Sequence, residues 1–272
     1  MSQMSRAEII ERIRPIILDS ESSFTEWRAT LDPHDAELMI RPDVKRVSLI
    51  AILLGRFLEP LSGGMAAEIG CGYGYLLFPL ATLFQQISWC GVDDPAREYM
   101  SRREYIDAFA RHHCEMRLTK ITDERLPFDS ASLDLVTFSE VMEHLPMERM
   151  QFVLSELSRV LRPNGLLVAS SPNQASLANR IHLLRGRSPF EIPETLTYTG
   201  GQFGHIRTYT VKEAVAMMRK FDLKPEMIRY ESNTTEHRGH GIKKDLYRCY
   251  VAIERWLPRS FGDTWYIVFR KA

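Results

Sequence analysis

Ile9, Ile10, Ile13 and Ile16 or Ile17 recur at three- and four-residue intervals across residues 5–18. That is the period of an amphipathic helix, with Ser5 placed to cap it. A second apolar face follows Pro42, formed by Val44, Val47, Leu49, Ile50, Ile52, Leu53, Phe57 and Leu58, and is stopped by Pro60 and the Ser62-Gly63-Gly64 turn. The two segments predict a helical annex over residues 1–60. From Met65 the pattern changes to short apolar runs at 65–69, 88–93, 115–119, 133–138 and 165–171, separated by helical periodicity at 73–86, 95–112 and 146–162. Alternation of this kind predicts β-α-β units and a parallel sheet in a domain over 61–272. The stretch 172–206 breaks the rhythm with Pro, Gly and aromatic residues, as a lid insertion after strand five would. A helix at 210–221, a strand at 226–232, a basic helix near 243–256 and a last strand at 264–270 complete the expected order.

Composition narrows the classes. Lys and Arg number 35 against 35 Asp and Glu, and 44% of the chain is apolar. A disordered tail has fewer apolar residues and a net charge, and a nucleic-acid coat has a basic excess, so nucleic acid is not the expected partner. Cys71, Cys90, Cys114 and Cys249 form no CxxC pair, which fits a reducing, cytoplasmic setting. The first residues carry charges where an export signal needs an apolar run. Leu49 to Leu58, the longest apolar stretch, is interrupted by Arg56 and is half the roughly 20 residues of a membrane span. The oligomeric state stays open.

The most informative segment is Glu68-Ile69-Gly70-Cys71-Gly72-Tyr73-Gly74, where an apolar strand meets a helix. Glycine there lets the backbone turn sharply and a ligand approach closely. Gly91-Val92-Asp93 ends the next strand and places a carboxylate where such folds bind a ribose diol. A dinucleotide loop reads GxGxxG, but here Gly74 is followed by Tyr75, Leu76 and Leu77. Glu68 adds a negative charge that repels a diphosphate and attracts an ammonium group. The loop therefore points to a cationic ligand.

With these residues the chain resembles the class I S-adenosylmethionine-dependent methyltransferases, of the type 11/23-like bacterial small-molecule and glycan branch. Their first motif, E/DxGxGxG, is matched by Glu68, Gly70, Gly72 and Gly74. Further matches are Gly91-Val92-Asp93, Leu126-Pro127-Phe128, Asp134-Leu135-Val136 and Leu161-Arg162-Pro163-Asn164-Gly165. The resemblance implies a Rossmann-like seven-stranded, mostly parallel sheet with helices on both faces. It implies S-adenosylmethionine as cofactor and S-adenosylhomocysteine as product. The residues it assigns to the cofactor are Glu68, Gly70, Cys71, Gly72 and Gly74 in the loop, Asp93 for the ribose, and Ser139 and Glu140 at the end of strand four. Asp94 is the alternative sugar ligand if Asp93 serves as a helix cap. For the adenine amino group the choice is Asp123, with Glu124 or Thr122 as substitutes.

The carboxyl end of strand four reads Ser139-Glu140-Val141-Met142-Glu143-His144-Leu145. His144 is the expected general base, with Glu143 beside it, because an imidazole titrates in the range a hydroxyl acceptor needs. Alternatively His144 only packs. Glu140, Glu143 and His144, with His205 from Gly204-His205-Ile206-Arg207, also look like the ligand set of metal-assisted methyltransferases, including the small-RNA 3′-end 2′-O-methyltransferases. The metal-free reading is preferred. Arg180, Arg185, Arg187 and Arg207 are candidates for an acidic acceptor, or solvated, or paired with Glu191 and Glu194. Phe190, Tyr198, Phe203 and Tyr209 either line an acceptor wall or pack the lid, and 234–241 reads as a polar loop. The leading expectation is O-methylation of a small molecule or glycan. The alternatives are a metal-assisted RNA 3′-end enzyme and a cofactor-binding relative without catalysis.

Overall fold

The computed structural model describes residues 4–24, 33–58, 63–96, 102–190, 205–232, 256 and 258–272. The sequence-predicted helix at 243–256, except for its last residue, and the loop at 234–241 fall outside them, as do Glu191, Glu194, Tyr198, Phe203 and Gly204. Helices α1 (Arg6–Phe24) and α2 (Pro33–Leu58) come first. Five parallel strands follow: β1 (Met65–Ile69), β2 (Ser88–Asp93), β3 (Cys114–Leu118), β4 (Leu133–Ser139) and β5 (Leu161–Pro172). Between them lie α3 (Leu77–Leu83), α4 (Arg103–Arg111) and α5 (Met147–Val160). Then come α6 (Leu177–Leu184), α7 (Val211–Arg219), β6 (Leu223–Glu231) and β7 (Thr264–Lys271). The seven strands lie in the order β3-β2-β1-β4-β5-β7-β6, with β7 antiparallel to both neighbours.

Successive strand residues sort into two apolar layers, as period-two geometry requires. Ala66, Leu135, Leu166, Val168, Tyr266 and Val268 face one cluster with α1 to α4. Ala67, Ile69, Val136, Phe138, Leu167 and Ile267 face the other with α5 and α7. Buried on both sides, the strands read as nearly continuous apolar runs. Ile9, Ile13, Ile17, Val47, Ile50 and Leu54 belong to the first cluster, so the N-terminal helices share a core with the sheet. Arg6 ties α1 to β6 through Glu231 at 2.7 Å.

The helix limits differ from the sequence pattern for identifiable reasons. Ser5 caps α1 reciprocally, its hydroxyl accepting from the Glu8 amide at 3.3 Å while Glu8 accepts from the Ser5 amide at 2.6 Å. Pro42 lies inside α2 rather than at its start, because buried Val44, Val47, Ile50 and Leu54 hold the helix through it. The helix expected at 73–86 shrinks to Leu77–Leu83, since Gly70, Gly72 and Gly74 adopt φ of 77°, 50° and 79° and the turn extends accordingly. The chain winds away from β1 toward β2 and β3 on one side and returns to β4 on the other. Such a reversal opens a crevice at the carboxyl ends of β1 and β4. Among the described residues no helix is long and apolar enough to cross a membrane.

Candidate active site

Glu68 occupies the center of the sheet, opposite Gly91 on β2 and Thr137 on β4. Its carboxylate is buried, and Oε2 has no hydrogen-bond partner. Burial, and then the nearby Asp93 charge, push its pKa well above the usual carboxylate range, while Arg46 and the Leu77 amide oppose the rise. The loop beyond it is shaped by its glycines. A Cβ at Gly74 would come within 2.3 Å of the Phe78 ring, whereas a Cβ at Gly72 would meet nothing within 4 Å. Gly74 is therefore demanded by packing, and Gly72 faces open space. Cys71 is buried between these positions with its thiol 3.9 Å from the Tyr105 hydroxyl, and burial raises its pKa. It is a small packed residue without the character of a reactive thiolate.

Asp93 closes the loop from β2. Its Oδ2 accepts from the Gly72 amide at 2.7 Å and its Oδ1 from the Asp94 amide at 2.7 Å. Tyr105 donates to the Gly72 carbonyl at 2.6 Å. The turn-capping task belongs to Asp94, whose Oδ1 accepts from the Ala96 amide at 2.9 Å. Beyond β3, Asp123 pairs with Lys120 at 2.8 Å and Arg149 at 3.0 Å, and Glu124 accepts from Thr119 and the Lys120 amide. The hydrogen bond and charge of Asp123 raise the pKa of Lys120 above its ordinary value, and the charge of Asp94 adds to the rise.

Arg46 reaches the same center from α2. It pairs with Asp43 at 2.5 Å, its Nε is buried without a partner, and Asp43, Glu140 and Glu68 all hold its charge in place against desolvation. The sequence reading missed this residue. Its signal was a position between Val44 and Val47 on the apolar face of α2, where an arginine has no reason to be unless something buried receives it.

At the end of β4, Glu140 takes φ of 56° and accepts from the Ser170 hydroxyl at 2.7 Å, and Ser139 shares a 2.7 Å hydrogen bond with Ser170. Glu143 is fully buried, with one oxygen accepting from Ser171 at 3.0 Å and Oε1 unpartnered. Burial and the Glu140 charge raise its pKa well above the ordinary value. The Ile206 and Arg207 amides donate to the Glu143 carbonyl at 2.8 and 3.2 Å, and Asn173 bridges Tyr209. This backbone clamp sets the His205 ring 5.0 Å from that of His144. Glu143, His144 and His205 each offer one ligand atom, all within 4.8 Å of one another. Glu140 is not in that group; its carboxylate is committed to Ser170.

Comparison with known proteins agrees with this fold. The family model described as a methyltransferase domain matches residues 67–167, from β1 into β5. Over residues 67–167 the chain thus matches a methyltransferase domain, and its fold is that of S-adenosylmethionine-dependent methyltransferases. A tRNA N(3)-methylcytidine methyltransferase of Drosophila melanogaster is 28% identical over 188 residues, 68% of this chain and 55% of that protein. A probable S-adenosylmethionine-dependent methyltransferase of Mycolicibacterium smegmatis is 30% identical over 127 residues, 47% of this chain and 45% of that one. The match thus spans about half the length of these curated relatives. Among solved structures, a putative sarcosine dimethylglycine methyltransferase from Galdieria sulphuraria superposes with a TM-score of 0.56 at 13% identity, covering 96% of this chain and 98% of that one. Glu68 lies on β1, Gly70, Cys71, Gly72 and Gly74 follow its carboxyl end, and Asp93 and Asp94 stand at the carboxyl end of the neighboring β2. Ser139, Glu140, Glu143 and His144 rise from the adjacent strand end, and Asp123 and Glu124 lie on the loop after β3.

Proposed function

We propose that the protein transfers a methyl group from S-adenosylmethionine to a hydroxyl of a small-molecule or glycan acceptor in the crevice above β1 and β4. The observation that carries the cofactor assignment is a pair of buried, unpartnered atoms of opposite character, Glu68 Oε2 and Arg46 Nε, whose charges act on each other at the start of the loop that leaves open space at Gly72. The amino-acid end of the cofactor is a zwitterion. Glu68 suits its ammonium group, Arg46 its carboxylate, Asp93 the ribose diol, and Asp123 or Glu124 the adenine amino group. When bound, S-adenosylmethionine supplies an electrophilic methyl group on sulfur. An imidazole nitrogen of His144 would take the proton of the acceptor hydroxyl as its oxygen receives the methyl group and the sulfur leaves as the neutral thioether. Ser171 and the backbone clamp on Glu143 fix the turn that carries His144, so its ring stays oriented.

The His144–His205–Glu143 cluster favors one second reading, in which a divalent cation held by these side chains orients acceptor oxygens. The Drosophila relative acts on tRNA, so the balanced charge of this chain does not by itself remove RNA from the acceptors to be tried. Titration with S-adenosylhomocysteine, followed by an acceptor screen with labeled cofactor, tests the main reading. One binding site and label transfer to a hydroxyl compound are expected, and binding of NAD in its place would overturn it. Full turnover after chelation and dialysis would remove the cation, and turnover on RNA alone would replace the acceptor class.

A further inference from the structure

The sheet has two edge strands, β3 and β6, and they are finished differently. An open edge invites pairing with another chain, and β6 carries devices that discourage it: Pro225, which has no amide hydrogen to donate, and a register shift against β7 between Pro225 and Met227. β3 has neither. Among the described residues no strand lies on its outer side, so the amides and carbonyls that β2 does not take up stand along an open edge. Its sequence, Cys114-Glu115-Met116-Arg117-Leu118, sets opposite charges symmetrically about Met116. Glu115 and Arg117 stand 3.0 Å apart on one face, with the Arg117 guanidinium over the Phe128 ring. Cys114 and Met116 pack on the other face with Tyr105 and Phe109 of α4, and the period of a strand puts Leu118 there as well. On that side Leu118 is 50% exposed and Ile106 of α4 is 57% exposed.

We infer that the protein forms a homodimer through β3, the strands of two copies pairing antiparallel about a two-fold axis at Met116. In that register Glu115 of one copy faces Arg117 of the other, twice, and Leu118 faces Cys114. A parallel pairing in register would set Glu115 against Glu115. Each copy uses up its only unguarded edge in the contact, so the assembly closes at two. Strands of five residues bury little by themselves, and a stable interface covers at least about 1,200 Å², so Leu118 and Ile106 must add apolar contact and the dimer is expected to be a weak one.

Sedimentation of the full chain between about 1 and about 100 μM at low salt tests the inference without reference to turnover. Monomer converting to dimer across that range is expected. Glu115→Arg sets like charges opposite each other and should raise the dissociation constant on the order of tenfold or more, as should Arg117→Glu. An equal mixture of these two variants should dimerize again, because every facing pair is then of opposite charge. Leu118→Lys should weaken the dimer through its apolar part. Urea unfolding reports that each variant is folded; if Arg117→Glu fails to fold on losing the Arg117 bond to the Pro127 carbonyl, Glu115→Arg and Leu118→Lys still decide. A monomer at every concentration overturns the inference and leaves the edge to a strand of another protein. So does a dimer indifferent to both Glu115→Arg and Leu118→Lys, or folded charge variants that do not recover on mixing.

Discussion

Arg159 and Arg46 each have side chains 17% exposed, yet their surroundings differ in kind. Arg159 sends two bonds of 2.7 Å to Glu156 and reaches the carbonyls of Phe128 and Leu126 at 2.8 and 3.0 Å, while Glu156 also accepts from the Leu126 amide at 2.8 Å. That cluster is closed, and it pins the Leu126-Pro127-Phe128 turn to α5. Around Arg46, by contrast, three buried atoms lack partners: its own Nε, Glu68 Oε2 and Glu143 Oε1. An uncompensated polar group costs about 1–3 kcal/mol, so a fold retains several in one place where a ligand completes them. The closed cluster serves the fold, and the open one is the proposed site.

Three substitutions sharpen the contrast. Arg159→Met leaves Glu156 only the Leu126 amide and the more exposed Arg125, and should lower stability by about 1–3 kcal/mol in urea unfolding, with cofactor affinity unchanged in the folded fraction. His144→Ala should reduce turnover by on the order of 10²–10⁴ in a label-transfer assay while S-adenosylhomocysteine still binds. Arg46→Met should weaken that binding by roughly 10- to 100-fold with less than about 1 kcal/mol change in stability. A large stability loss there would move Arg46 into the structural class.

The smallest effect lies in pH. Glu156 has its pKa lowered by Arg159, so its contribution is present above about pH 4.5 and is lost as pH falls through the folded value. Glu68 is raised, so its contribution is present below about 4.5 and is lost as pH rises through its folded value. Glu68→Gln should therefore flatten the decline in stability toward neutral pH, and Glu156→Gln should flatten the loss on the acid side. Stability curves of the three proteins against pH check both signs.

The strands and their order were legible because apolar runs bounded by turn residues survive in any context. Glu68 and Asp93 were legible because the turn chemistry around them is local. Arg46 was not, since its role depends on α2 packing across the sheet from residues nearly a hundred positions away. His205 was placed only loosely, because its position beside His144 follows from amide bonds of Ile206 and Arg207 to the Glu143 carbonyl, and no spacing rule encodes those. The lost helical residues at 73–76 follow from three successive positive-φ glycines, whose combined effect on the helix start is larger than the apolar pattern suggests.

The central claim is that the open cluster exists for a zwitterion. Calorimetric titration of the unmodified protein and of Arg46→Met with S-adenosylhomocysteine and with methylthioadenosine, which lacks the amino-acid end, tests it directly. The account predicts that the unmodified protein prefers S-adenosylhomocysteine and that Arg46→Met erases most of that preference. Equal preference in both proteins would contradict it.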